Sequence, residues 1–257
     1  MKLGVQTFTI RKMQKKDIEK AYLPLIEMGI RHVEIGRMKF TEENARQVKD
    51  LMDRYQFEVT SIQVKPKDVF HHKEDVIRFC HVTGCRNVVI SMLPFSCILG
   101  NEQKFYEFIG SLDQFYDDYQ KQGIDLGYHH HDWEYIRLSN GKTRMEELLE
   151  KTKKILFVHD TYWTHKCGQE SWKQVEQFGS RLMGIHLRDM TLKKKGIKVI
   201  AKDAPVGTGV VDFERVFASA EKAGCRYGVI EQKSDHPYED IRISFENCLK
   251  FSKSTGE

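Results

Sequence analysis

At 257 residues, 40% hydrophobic and 30% charged, the chain has a globular composition and is long enough for one large α/β domain. A formal net charge of +4 is spread along it, and Lys193-Lys194-Lys195 is the one basic cluster. No concentrated footprint for nucleic acid or an anionic membrane is therefore expected. Six cysteines stand singly with no CxxC pair, which reads as reduced thiols in a cytoplasmic protein, and the N-terminal segment is expected to be neither a signal peptide nor a membrane anchor.

Short apolar or β-branched runs recur at Leu3–Phe8, Val33–Ile35, Val59–Val64, Val88–Met92, Leu126–His131, Ile155–Asp160, Met183–Leu187 and Tyr227–Glu231. Longer amphipathic stretches separate most of them. Ile18, Tyr22, Leu25 and Ile26 form one helical stripe, and Thr41 reads as an N-cap followed by Glu42 and Glu43 where carboxylates favour the helix dipole. Alternation of this kind predicts parallel βαβ units. Roughly eight of them exhaust the chain, which suits a single-domain (β/α)8 TIM barrel over residues 1–257. No GxGxxG follows the first strand, which disfavours an open dinucleotide-binding sheet.

In such a barrel the chemistry gathers where strands end. The fifth run closes on His129-His130-His131, the sixth on Asp160, the seventh on His186, Arg188 and Asp189, and the eighth on Glu231. Because strand side chains alternate, His129 and His131 point one way and His130 the other; the same parity separates Asp160 from His159 and groups His186 with Arg188. His129, Asp160, His186 and Glu231 are thus expected to converge as metal ligands. His130 and His159 read as structural imidazoles. Two nitrogen and two oxygen donors suit Mn2+ first, with Co2+, Zn2+, Fe2+ or Mg2+ as alternatives, and a dication there would acidify a proton beside a sugar carbonyl.

Five segments in order, GYHHHDWEY, HDTYW, IHLRD, PVGTGVVDF and GVIEQ, resemble those of the xylose isomerase-like barrels of the sugar phosphate isomerase/epimerase group. The resemblance spans nearly the whole chain. It implies metal ligands at Asp160, His186 and Glu231, with His129 where many members carry Glu. That replacement removes one carboxylate of a two-Glu proton shuttle, leaving Glu231 as ligand and base and His131 as the imidazole acid/base.

Around this set, Glu34 is expected either to bind sugar hydroxyls or to pair with Arg11 or Lys65. Trp163 can stack on a sugar face or pack under the rim, and Arg188 either contacts substrate or neutralises Asp160 and Glu231. Gly207-Thr208-Gly209 reads as a tight turn with Asp212 capping the next helix, and Lys193–Lys195 as a solvated loop. The function expected is a divalent-metal-dependent sugar or keto-sugar isomerase or epimerase working through an enediolate. A lyase or hydrolase of 3-keto-glycosides is the alternative. More remote is an apurinic-type endonuclease, disfavoured because Asp160-Thr161 is followed by Tyr162-Trp163 rather than Cys-His. A small sugar or keto-sugar is the expected partner, without nucleic acid or membrane, and monomer and homo-oligomer are both compatible with the sequence.

Overall fold

The computed structural model of the chain describes residues 1–99, 102–196 and 198–254. Its strands are β1 (Lys2–Gln6), β2 (His32–Ile35), β3 (Glu58–Val64), β4 (Asn87–Ile90), β5 (Asp125–His129), β6 (Leu156–Asp160), β7 (Leu182–Leu187), β8 (Asp189–Lys195), β9 (Lys198–Ala204) and β10 (Tyr227–Ile230). All except β8 and β9 close into one parallel barrel in the order β1-β10-β7-β6-β5-β4-β3-β2. The expected TIM barrel is the observed fold.

Helices between the strands form where the sequence places their signals. Thr41 accepts the Asn44 N–H at 3.3 Å and opens the helix Glu42–Tyr55, which buries Ala45, Val48 and Leu51. Asp17 caps Ile18–Glu27, whose stripe buries Ile18, Tyr22 and Leu25 and leaves Ile26 half-buried. No helix among the described residues is long and apolar enough to cross a membrane.

Two layers of core follow from strand parity. Outward side chains pack under the helices, while Val89, Leu156, Val158, Met183, Tyr227 and Val229 form a separate cluster that fills the barrel. Gly184 makes room for this filling: a Cβ there would lie 2.4 Å from the Tyr227 ring. Leu156 and Val158 belong to that inner cluster, so Asp160, two residues on, stands at its upper end; Tyr227 and Val229 do the same for Glu231.

Two expectations need correction. β5 stops at His129, so His130 and His131 lie in the following loop instead of ending the strand. The Lys193–Lys195 run is strand, not loop: β8 and β9 pair antiparallel from Asp189↔Ala204 to Lys195↔Lys198, between β7 and the last barrel strand. Lys193 and Lys194 are exposed. The hairpin escapes a reading by burial because its apolar residues are not buried, Leu192 being 53% exposed and Ile200 39%. Backbone pairing holds it.

Candidate active site

The four strand-end residues meet. Single ligand atoms of His129, Asp160, His186 and Glu231 all lie within 4.8 Å of one another, and all four side chains are buried. Each is aimed by a different partner. His129 donates from Nδ1 to the Ser91 carbonyl at 3.2 Å, which leaves Nε2 as its lone-pair nitrogen, 3.4 Å from Asp160 Oδ2. Asp160 caps the short helix Thr161–Lys166, its Oδ1 accepting the Trp163 N–H at 3.0 Å, so Oδ2 is the oxygen left for the site.

His186 is oriented from below. Its Nε2 donates to Glu34 Oε1 at 2.7 Å, and Glu34 Oε2 accepts from Ser61 Oγ at 2.6 Å and from the Tyr227 hydroxyl at 3.4 Å. Nδ1 of His186 then faces Glu231 Oε2 at 2.8 Å, yet neither atom has a partner in hydrogen-bonding geometry. Two buried polar atoms aimed at a common point, with no hydrogen bond between them, are what a shared metal ion would satisfy. The residues present fit a divalent ion with mixed nitrogen and oxygen donors.

Charge in the cluster is mutual. Burial opposes ionisation of Asp160, but the Arg188 guanidinium and His129 hold it far below the usual carboxylate range. Glu231, likewise buried, is held down to about 2 by His186 and Arg188. Burial works against a charge on His186, and the Glu34 and Glu231 carboxylates outweigh it, lifting the imidazole to about 10. Arg188 is 3% exposed and bridges three carboxylates: Asp203 on β9 at 2.9 Å, Glu231 at 3.5 Å and Asp160 at 3.6 Å.

Glu34 is a correction. It pairs with neither Arg11 nor Lys65; it is 0% exposed, lies under His186 and is absent from the cleft wall, where a sugar hydroxyl would have to meet it. Its parity in β2 points it into the barrel, where a carboxylate needs a buried donor. Arg188 and Trp163 do line the cleft. Trp163 leaves Nε1 without a partner and packs 5.3 Å from both the His131 ring and the Arg188 guanidinium.

His131 stacks on Trp133 at 5.2 Å and meets His129 edge-on at 4.7 Å, again on the cleft wall, with Nδ1 unpartnered. Burial, with His129 beside it, drops its pKa well below the usual value, so the imidazole is neutral at neutral pH. His130 points the other way. It accepts the Asp160 N–H at 3.0 Å and sits 3.2 Å from His159, ties β5 to β6, and is lowered to about 3 by burial.

One group carried no readable signal: Asp203 comes from the hairpin that the apolar pattern does not show. Asp189, buried, accepts N–H groups from Met190, Gly207, Gly209, Val210 and Val211 and so pins the Gly207–Gly209 turn. That turn is as expected, with Asp212 capping the helix Phe213–Lys222. A Cβ on Gly209 would stand 2.3 Å from Asp189 Oδ1, so the close approach requires glycine.

Above these residues opens a cleft of about 1140 Å³, walled opposite the ligands by Phe8, Phe40, Phe70 and Phe108. The family model for xylose isomerase-like TIM barrels matches residues 24–250. Among solved structures, a sugar phosphate isomerase/epimerase from Parabacteroides distasonis superposes with a TM-score of 0.77 at 18% identity, covering 96% of this chain and 94% of that one. A D-tagatose 3-epimerase-like protein gives 0.71 at 15% identity over 100% of both chains. The probable 3-DHS dehydratase AsbF of Bacillus anthracis, involved in petrobactin synthesis, gives 0.71 at 12%, covering 97% and 99%. No functionally curated protein matches.

Proposed function

The chain belongs to the xylose isomerase-like TIM-barrel family, and we propose that it is a divalent-metal-dependent isomerase or epimerase that removes a proton beside the carbonyl of a keto-sugar. The observation that carries this reading is the buried quartet His129, Asp160, His186 and Glu231, its donor atoms within 4.8 Å. An ion held there, Mn2+ in our assignment, would polarise a substrate carbonyl and loosen the neighbouring C–H proton.

The chain's own residues do the rest. His131 takes the proton: it is neutral at neutral pH, lies on the cleft wall and has Nδ1 unpartnered. In isomerisation the imidazolium so formed gives the same proton to the neighbouring carbon of the enediolate, which closes the balance; for epimerisation Glu231, ionised at neutral pH, is the base on the other side and must first gain a proton from solvent before it can return one. Arg188 keeps Asp160 and Glu231 ionised through its paired charge, and Trp163 supplies an aromatic surface for the sugar's C–H face. Glu34 fixes the imidazole of His186 from beneath.

One observation favours a second reading. The cleft of about 1140 Å³ exceeds the usual span of about 300–1,000 Å³ for small-ligand pockets, so it also suits a 3-keto-glycoside, from which the same proton removal would expel the second sugar or aglycone by β-elimination. A nuclease reading draws less support. Among the described residues there is one cluster of metal-capable side chains, with Tyr162-Trp163 where further His ligands would be needed.

Metal analysis of the purified protein, followed by incubation with ketoses and 3-keto-glycosides in D2O, tests the proposal. Stoichiometric divalent metal and deuterium uptake at the carbon beside the carbonyl are expected. A metal-free protein that cannot be loaded, or a loaded one with no exchange on any substrate, would sink it.

A further inference from the structure

We infer that the substrate carries an anionic group, a phosphate ester or a carboxylate, and that it is held by the loops after β2 and β3, across the barrel from β6 and β7. This deepens the proposed function, on which it rests for the placement of the reacting end.

The cleft wall is charged unevenly. Its carboxylates Glu107, Asp132 and Glu231 are each neutralised, by Lys104 at 2.7 Å, Lys166 at 2.8 Å and Arg188 at 3.5 Å. Arg37, Lys39, Lys65, Lys67 and Lys233 line the same wall, and among the described residues none of the five enters an ion pair; Asp68 is the one carboxylate left to set against them. Four of the five follow β2 and β3 directly. A concave wall with an uncompensated excess of one sign concentrates ions of the other.

Arg37 adds an independent sign. It holds a φ of +59°, in the left-handed region that favours glycine. Among the described residues the one other non-glycine residue there, Gln56, is explained as the left-handed C-cap of the helix Glu42–Tyr55. Arg37 caps nothing. Backbone of this kind, kept at a cost in a cleft wall, marks a side chain positioned for a ligand. Its guanidinium sits 5.2 Å over the Phe8 ring, so an aromatic face supports the cation from one side while the cleft opens on the other.

Of the two loops where barrels commonly hold phosphate, those after the seventh and eighth barrel strands, the first is closed here and the second brings only one cation, Lys233, to the cleft wall. The backbone N–H groups of Gly207, Gly209, Val210 and Val211 are already directed at the Asp189 carboxylate, which would also repel an anion. The size of the cleft agrees: room is left beyond a monosaccharide seated at the quartet.

Binding of fructose 6-phosphate, glucuronate and fructose, measured by titration calorimetry on metal-free and Mn2+-treated protein at low and raised salt, tests this. At low salt at least one of the two anionic probes should bind ten-fold or more tighter than fructose, the two arms telling phosphate from carboxylate. The preference should shrink as salt is raised. Arg37→Gly, which suits the backbone, combined with Lys65→Gln should remove most of it without changing metal content, and Lys65→Glu should remove it alone. Equal binding of fructose and both anions, or a preference unmoved by these substitutions, would overturn the inference. Because the basic loops do not include the quartet, the preference is expected in metal-free protein too; its presence there with no metal uptake would refute the proposed function and leave this inference standing.

Discussion

β5, β6, β7 and β10 run out into His129, Asp160, His186 and Glu231, none more than 7% exposed, whereas β2 and β3 run out into Arg37, Lys39, Lys65 and Lys67, all exposed. On the first side each of the four side chains is placed by a partner: Ser91 sets His129, Trp163 N–H sets Asp160, Glu34 sets His186 and Arg188 sets Glu231. On the second side the four cations enter no ion pair among the described residues, and aromatic rings stand between them. A buried charge must be paired, so the first side is preorganised and intolerant; exposed charges cost little to keep, so the second side is free to vary with the substrate.

The comparison breaks first at the quartet. Glu231→Ala should abolish both metal binding and proton exchange, read as metal content and deuterium uptake; a variant that keeps its metal would show that the carboxylate belongs only to Arg188. His131→Gln is expected to lower exchange by about 10²–10⁴-fold with metal content unchanged, and an unaltered rate would remove His131 from the chemistry.

Asp189→Ala leaves five backbone N–H groups without their acceptor. It should cost about 3 kcal/mol in denaturant unfolding, while the folded fraction binds metal normally. Glu34→Gln keeps an acceptor for His186 but loses its charge, and a fall of roughly 10–100-fold in metal affinity is expected from competition with a chelator. No change would mean that Ser61 and Tyr227, not His186, are its real partners. Smallest of all, Lys193→Ala with Lys194→Ala on the exposed hairpin should shift stability by no more than about 0.5 kcal/mol.

Much of the first side was legible beforehand. An acid or imidazole closing an apolar run is visible in one dimension, and strand parity sorted His129 from His130 and Asp160 from His159 without coordinates. Glu34 had the same signal, an acid inside the four-residue strand His32–Ile35, but parity does not tell which buried donor waits across the barrel. The hairpin β8–β9 was not legible, because its Leu192 and Ile200 stay exposed and pattern reading finds strands by burial. With it went Asp203, the carboxylate that steadies Arg188.

The order of apolar runs and caps was enough for the barrel, since each βα unit is specified by local periodicity and by side chains within one turn of their partners. It was enough also for the identity of the four converging residues, because parity carries each to the same end of the same interior. What only the tertiary structure decided is which nitrogen and which oxygen of each residue faces the centre. Asp160 takes its orientation from Trp163 three residues on, but the two imidazoles depend on partners 38 and 152 residues away, Ser91 for His129 and Glu34 for His186, whose meeting is fixed by barrel closure and not by anything near either in sequence.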